Sequence, residues 1–193
     1  MPLAGEIAAR CIDCQLDPFP VAWCDAWGHY SGGLERLLHA FKFERHDFLD
    51  DPLAMLIAET LEERRLRLSE QAGAPLLHDF DAVVPVPMSR RKERRRGYNQ
   101  AELLARAVAK RIDIPCRMLL AKKNDGPTQS LLPRDRRAAN VRHAFTGSRD
   151  AKGQSLLLID DICTTGETVR ACANELLRAG AAHVCAITVA KAS

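Results

Sequence analysis

LLLIDDICTTGETV, residues Leu156 to Val169, is the stretch on which the fold turns. Ser155 to Asp160 is an apolar run that ends in acid, as in a strand covered on both faces. The pattern beyond it predicts a helix over Glu167–Ala179, ended by Gly180, and a last buried strand over His183–Ala190. Upstream the same alternation holds. Ala82–Pro87 is a short β-branched run, Asn99–Arg111 places Ala101, Leu104, Ala105 and Val108 on one helical face, and Met118–Leu120 has strand character. Strand, helix, strand, loop, strand, helix, strand implies an α/β protein with a parallel sheet flanked by helices.

The residues before that core read differently. Residues 1–30 form an irregular segment with Pro18, Pro20 and two tryptophans, and 31–78 a helical accessory region ahead of a core at 79–193. Within the accessory region Leu34, Leu37, Leu38, Phe41 and Lys42 recur at helical spacing, predicting a helix over Gly33–Arg45. A second helix starts at Asp51-Pro52, acidic with proline in its first turn, and runs to about Leu68.

Composition bounds what such a chain can do. Its 193 residues, 47% hydrophobic and 27% charged, can bury a sizeable core. No apolar run reaches the roughly 18 residues of a membrane-spanning helix, and no signal-peptide pattern opens the chain, so a cytoplasmic protein without membrane insertion is expected. The seven cysteines are scattered rather than spaced as a disulfide framework. The net charge of +3 conceals an asymmetry: Met88–His143 holds 16 basic and 5 acidic residues, a local +11, leaving −8 elsewhere. The middle of the chain calls for an anionic partner.

The chemistry of the opening stretch narrows that partner. In parallel α/β sheets ligands gather beyond the carboxyl ends of the strands, where Asp160 and Asp161 fall. Carboxylates accept hydrogen bonds from a vicinal diol, and the following turn offers backbone N–H groups, threonine hydroxyls and a helix N-terminus to a phosphate. Together these are the two ends of a ribose 5-phosphate.

The stretch resembles the phosphoribosyl diphosphate (PRPP) signature of type I phosphoribosyltransferases. The resemblance implies ribose binding and catalysis at Asp160 and Asp161, both reaching Mg²⁺ indirectly, and a phosphate cradle at Thr164, Thr165, Gly166, Glu167 and Thr168. Glu167 is expected to turn its carboxylate to solvent, because an anion there competes with phosphate for the helix end. Several purine-using members carry an Asp where this chain has Thr164, which points to a different acceptor. VVPVPMSRRKERRRGYNQAELLA (83–105) stands where these enzymes place a diphosphate loop, implying contacts from Pro87, Met88 and Arg94 and assistance to the leaving group from Arg96. The run of six cations in Arg90–Arg96 could on charge alone be a solvated helix face, but its place beside the implied diphosphate loop favours an anion-facing role. Residues 121–142 match a hood loop, with Arg134 and Arg137 over the diphosphate.

Gly97-Tyr98-Asn99-Gln100, Thr128-Gln129, Asn140-Val141, Ala144-Phe145 and HYSGGLERLLHAFKF (29–43) are similar to the ComF family, the competence-associated branch of this superfamily. That likeness implies a phosphoribosyltransferase linked to DNA uptake, or a non-catalytic accessory protein that binds PRPP or single-stranded DNA beside a competence helicase. It also implies a zinc ribbon, of which Cys11 and Cys14 look like the last pair; Cys24 and His29 are the candidates to complete the four ligands Zn²⁺ requires.

Overall fold

The computed structural model describes residues 19–44, 46–69, 80–123 and 144–192. In chain order these form strand β1 (Cys24–His29), helix α1 (Gly32–Phe43), helix α2 (Asp50–Ser69), strand β2 (Ala82–Pro85), helix α3 (Arg90–Arg96), helix α4 (Gln100–Ile112), strands β3 (Leu120–Lys122), β4 (Phe145–Gly147) and β5 (Ser155–Cys163), helix α5 (Glu167–Arg178) and strand β6 (His183–Lys191).

Four strands make one wholly parallel sheet in the order β1-β6-β5-β2. Its central members are apolar through their middles, because successive residues there face opposite cores. Leu156 and Leu158 join Val84, Val184, Ala186 and the inner face of α5 (Val169, Cys172, Leu176) on one side. Leu157 and Ile159 join Val83, Ile187 and Val189 on the other, against Leu38 and Phe41 of α1, Leu53, Ile57 and Leu61 of α2, and Leu104 and Val108 of α4. The helices of the N-terminal half therefore share one core with the sheet.

Two features depart from the sequence reading. The tryptophan-containing stretch read as irregular ends in β1, which pairs with β6 at the sheet edge, Cys24 beside Ala186 and His29 beside Lys191. Besides the parallel sheet, β3 and β4 form a small antiparallel pair that caps the α5 face. The basic run, for which a helix face is one of the two readings, is the helix α3: the Ser89 hydroxyl accepts from the Lys92 N–H at 3.5 Å, and Gly97, at φ 95°, closes the other end. No helix among the described residues is long and apolar enough to cross a membrane.

Candidate functional site

At the carboxyl end of the sheet, β5 outlasts its neighbour β2 and carries Asp160 and Asp161 past the core. Strand alternation sends the two side chains to different faces. Asp161 turns to the side of α1, where its carboxylate Oδ2 meets the Lys42 ammonium at 3.0 Å, the side chains 9% and 19% exposed. Both acids line a cleft of about 150 Å³ with Pro87, Met88, Asn99, Gln100, Phe145 and Thr168. Lys42, Lys92, Arg96 and Lys122 complete the wall, so four cations surround two carboxylates, a setting for a ligand with more negative charge than the acids alone.

A wider depression of about 470 Å³ lies between the end of α4 and Pro115-Cys116. It sits at the opposite, amino end of the strands, since Cys116 bridges Val83 early in β2, and it holds no pair of carboxylates. The smaller cleft, beyond the carboxyl ends of the strands, is therefore the candidate site.

The electrostatics of the acid pair are uneven. Burial raises the Asp160 carboxyl to about 8 and the neighbouring Asp161 adds to the rise; the Asp161 N–H, donating to Asp160 Oδ1 at 2.9 Å, and Lys42 oppose it. Next in the strand, the Cys163 thiol is lowered to about 7, chiefly by a hydrogen bond with Cys24 against the opposing effect of burial, with help from Lys191 and the Gly166 N–H. Cys24 is pushed far above its ordinary range by that same hydrogen bond and by burial.

The turn after β5 is closed by Gly166, the N-cap of α5, whose φ of 77° suits glycine. A Cβ there would also stand 3.0 Å from the Phe19 ring. The Gly166 N–H is directed at the Cys163 sulfur, which leaves Thr164 and Thr165, both exposed, and Thr168 as the hydroxyl donors around the turn. Glu167 does not turn out to solvent as expected: its Oε2 is buried and, among the described residues, has no hydrogen-bond partner.

The basic helix divides its cations between the cleft and the surface. Arg96 lies on the cleft wall, donating to Gln100 Oε1 at 2.9 Å and stacking over Phe43 with 4.8 Å to the ring centre. Arg94 is exposed and does not line the cleft. Arg134, Arg137, Cys11 and Cys14 lie outside the described residues. The pair proposed to complete a zinc set fails geometrically: Cys24 and His29 begin and end β1, five residues and roughly 16 Å apart. They cannot share one ion. Magnesium is a different case, because it is commonly held by one or two carboxylates with substrate oxygens and water. Asp160 and Asp161 fit that donor set; among the described residues no group of three or more His, Cys, Asp or Glu side chains forms an all-protein cage.

Two wall residues escaped sequence reasoning, Lys42 and Lys122. Lys42 carried a signal, as the one charged member of an otherwise apolar helical stripe. Lys122, with its ammonium 5.3 Å from the Phe145 ring centre, depends on the β3–β4 pairing and has no local mark.

With this geometry in place, comparison with known proteins is direct. The phosphoribosyl transferase domain model matches residues 99–193. The DNA utilization protein YhgH of Salmonella typhi is 32% identical over 183 residues, covering 94% of this chain and 77% of that protein. Competence protein F of Haemophilus influenzae is 31% identical over 162 residues, 81% of this chain and 67% of its own. Competence protein ComFC of Bacillus subtilis is 36% identical over 108 residues, 55% of this chain and 43% of its own. Among solved structures, the glutamine PRPP amidotransferase of Bacillus subtilis aligns with a TM-score of 0.39 and 22% identity, over 62% of this chain and 24% of that enzyme. The chain belongs to the ComF/YhgH family of competence and DNA-utilization proteins, which carry a phosphoribosyltransferase domain.

Proposed function

We propose that the protein binds PRPP with Mg²⁺ and transfers its phosphoribosyl group to an acceptor with release of diphosphate, in the service of DNA uptake or use. The observation that carries this reading is the pairing of Asp160 and Asp161 at the mouth of a cleft walled by four cations, directly ahead of a hydroxyl-lined turn and a helix N-terminus. The carboxylates accept from the ribose 2′ and 3′ hydroxyls. The hydroxyls of Thr164, Thr165 and Thr168 and the start of α5 receive the 5′-phosphate. Lys92 and Arg96 stand toward the diphosphate, where fixed positive charge favours the leaving group as a nucleophile attacks the anomeric carbon. Mg²⁺ bound with the substrate at the acid pair supplies further neutralisation of that charge.

Calorimetry of PRPP added to the protein in MgCl₂ is expected to show saturable binding at a single site, and diphosphate release with a panel of acceptors then identifies the nucleophile. Absence of any binding heat at millimolar PRPP overturns the proposal.

A second reading, binding of single-stranded DNA, draws on the outer face of α3. Arg90, Arg91, Arg94 and Arg95 are exposed there, and Phe43, which stacks against Arg96, is 57% exposed. Backbone phosphates and a stacked base suit such a surface. In fluorescence anisotropy with labelled oligo(dT), affinity should fall steeply with NaCl, by about 0.7 in the log–log slope per phosphate neutralised. Phe43→Ala should weaken binding further. A flat salt response removes this reading.

A further inference from the structure

We propose that Lys42, on the N-terminal helix and outside the residues matched by the phosphoribosyl transferase domain model, is a positioning residue of the ribose site, holding the Asp161 carboxylate aimed at the sugar hydroxyls. This rests on the phosphoribosyl reading of the cleft.

A lysine in the last turn of a helix has an ordinary explanation, since its charge complements the carbonyl end of the helix dipole. Such a side chain normally extends into water. Lys42 instead reaches inward, four-fifths buried, to a carboxylate that is itself only 9% exposed. Desolvating both charges carries a cost that their mutual attraction need not repay, so stability alone does not explain the pair.

The surrounding bonds fix the place from which Lys42 reaches. Phe41 is fully buried, and its carbonyl accepts from the Tyr98 hydroxyl at 2.6 Å. The Lys42 carbonyl accepts from Gln100 Nε2 at 3.5 Å, and Gln100 in turn accepts from Arg96. Asn99 locks the same segment, its Nδ2 donating to the Val86 carbonyl at 3.1 Å and its Oδ1 accepting from the Ala101 N–H at 3.2 Å. Tyr98 and Gln100 thus fasten the end of α1 to the segment that leads from β2 into α4, and Asn99 holds that segment in place. An ammonium offers three donors, and the Asp161 contact occupies one, so Lys42 keeps donors toward the cleft that it lines.

The test compares wild type, Lys42→Met and Lys42→Arg for binding of PRPP and of ribose 5-phosphate in MgCl₂, with melting temperature measured alongside. Lys42→Met should weaken both ligands by about tenfold or more and to a similar extent, because the damage is at the sugar end they share. Lys42→Arg, which keeps the charge and donors, should restore affinity to within about threefold of wild type. A purely structural lysine would shift the melting temperature and leave both affinities in place, and that result overturns the proposal. So does a loss that Lys42→Arg fails to restore. If wild type binds neither ligand, the phosphoribosyl reading itself falls, an outcome distinct from wild-type binding that Lys42→Met leaves unchanged.

Discussion

Asp161→Asn is expected to weaken PRPP binding about 100-fold, whereas Asp160→Asn, one residue away, should cost much less at neutral pH. The two carboxyls differ because their surroundings differ. Asp161 stands in an ion pair with Lys42, and amidation removes the charged acceptor from the sugar hydroxyls while leaving Lys42 a neutral partner. Hydrogen bonds to a charged group contribute about 1.5–3 kcal/mol each, and tenfold in affinity corresponds to about 1.4 kcal/mol. Asp160, raised to about 8, holds its proton at pH 7 in the ligand-free protein, and asparagine resembles that neutral form in shape and polarity. Titration calorimetry on both variants at pH 7 decides the matter. Equal losses, or an Asp161→Asn protein that binds as wild type does, would contradict this assignment.

Asp160→Asn should also stabilise the ligand-free protein, increasingly so as pH rises. An unfolded chain releases the Asp proton near pH 3.9, whereas the folded protein keeps it until about 8. Between those values the folded state binds more protons, so this residue withdraws stability as pH rises, at roughly 1.4 kcal/mol per unit, and the loss is complete only above the folded pKa. Asparagine has no proton to surrender and lacks that slope. Scanning calorimetry in metal-free buffer should find the two proteins close together near pH 4 and the variant melting about 10–20 °C higher at pH 8. Parallel melting curves across that range would show that Asp160 is not penalised by burial. The contrast would mark the acid pair as a place where stability has been given up for binding.

Much of the site was legible in the primary structure because its central part is contiguous. The run Leu156–Ile159 announces a doubly covered strand, and the acids and threonines that follow it need no distant residue to be recognised. What escaped is set by contacts far apart in the chain. β1 forms by pairing Cys24 with Ala186, over 160 positions away, and nothing local in a stretch rich in tryptophan and proline signals an edge strand. The β3–β4 pair likewise joins short, three-residue strands whose stability comes from packing on α5. In Arg90–Arg96 a helix face is among the readings, but a run of like charge has no apolar stripe to say which of its cations turn to the cleft. Lys42 shows the converse: a charge set into an apolar stripe reads as an interruption until the third dimension supplies its partner.

The way the sheet is assembled also bears on where this molecule can be cut. A fragment limited to residues 99–193 would retain β5 and β6 but forfeit β1 and β2 on either flank, together with α1 and α2. It would present two bare ribbon edges and strip Leu157, Ile159, Ile187 and Val189 of most of their cover. The span matched by the phosphoribosyl transferase domain model is thus narrower than the unit that shares one core, and the amino-terminal half is as much scaffold for that domain as it is an appendage.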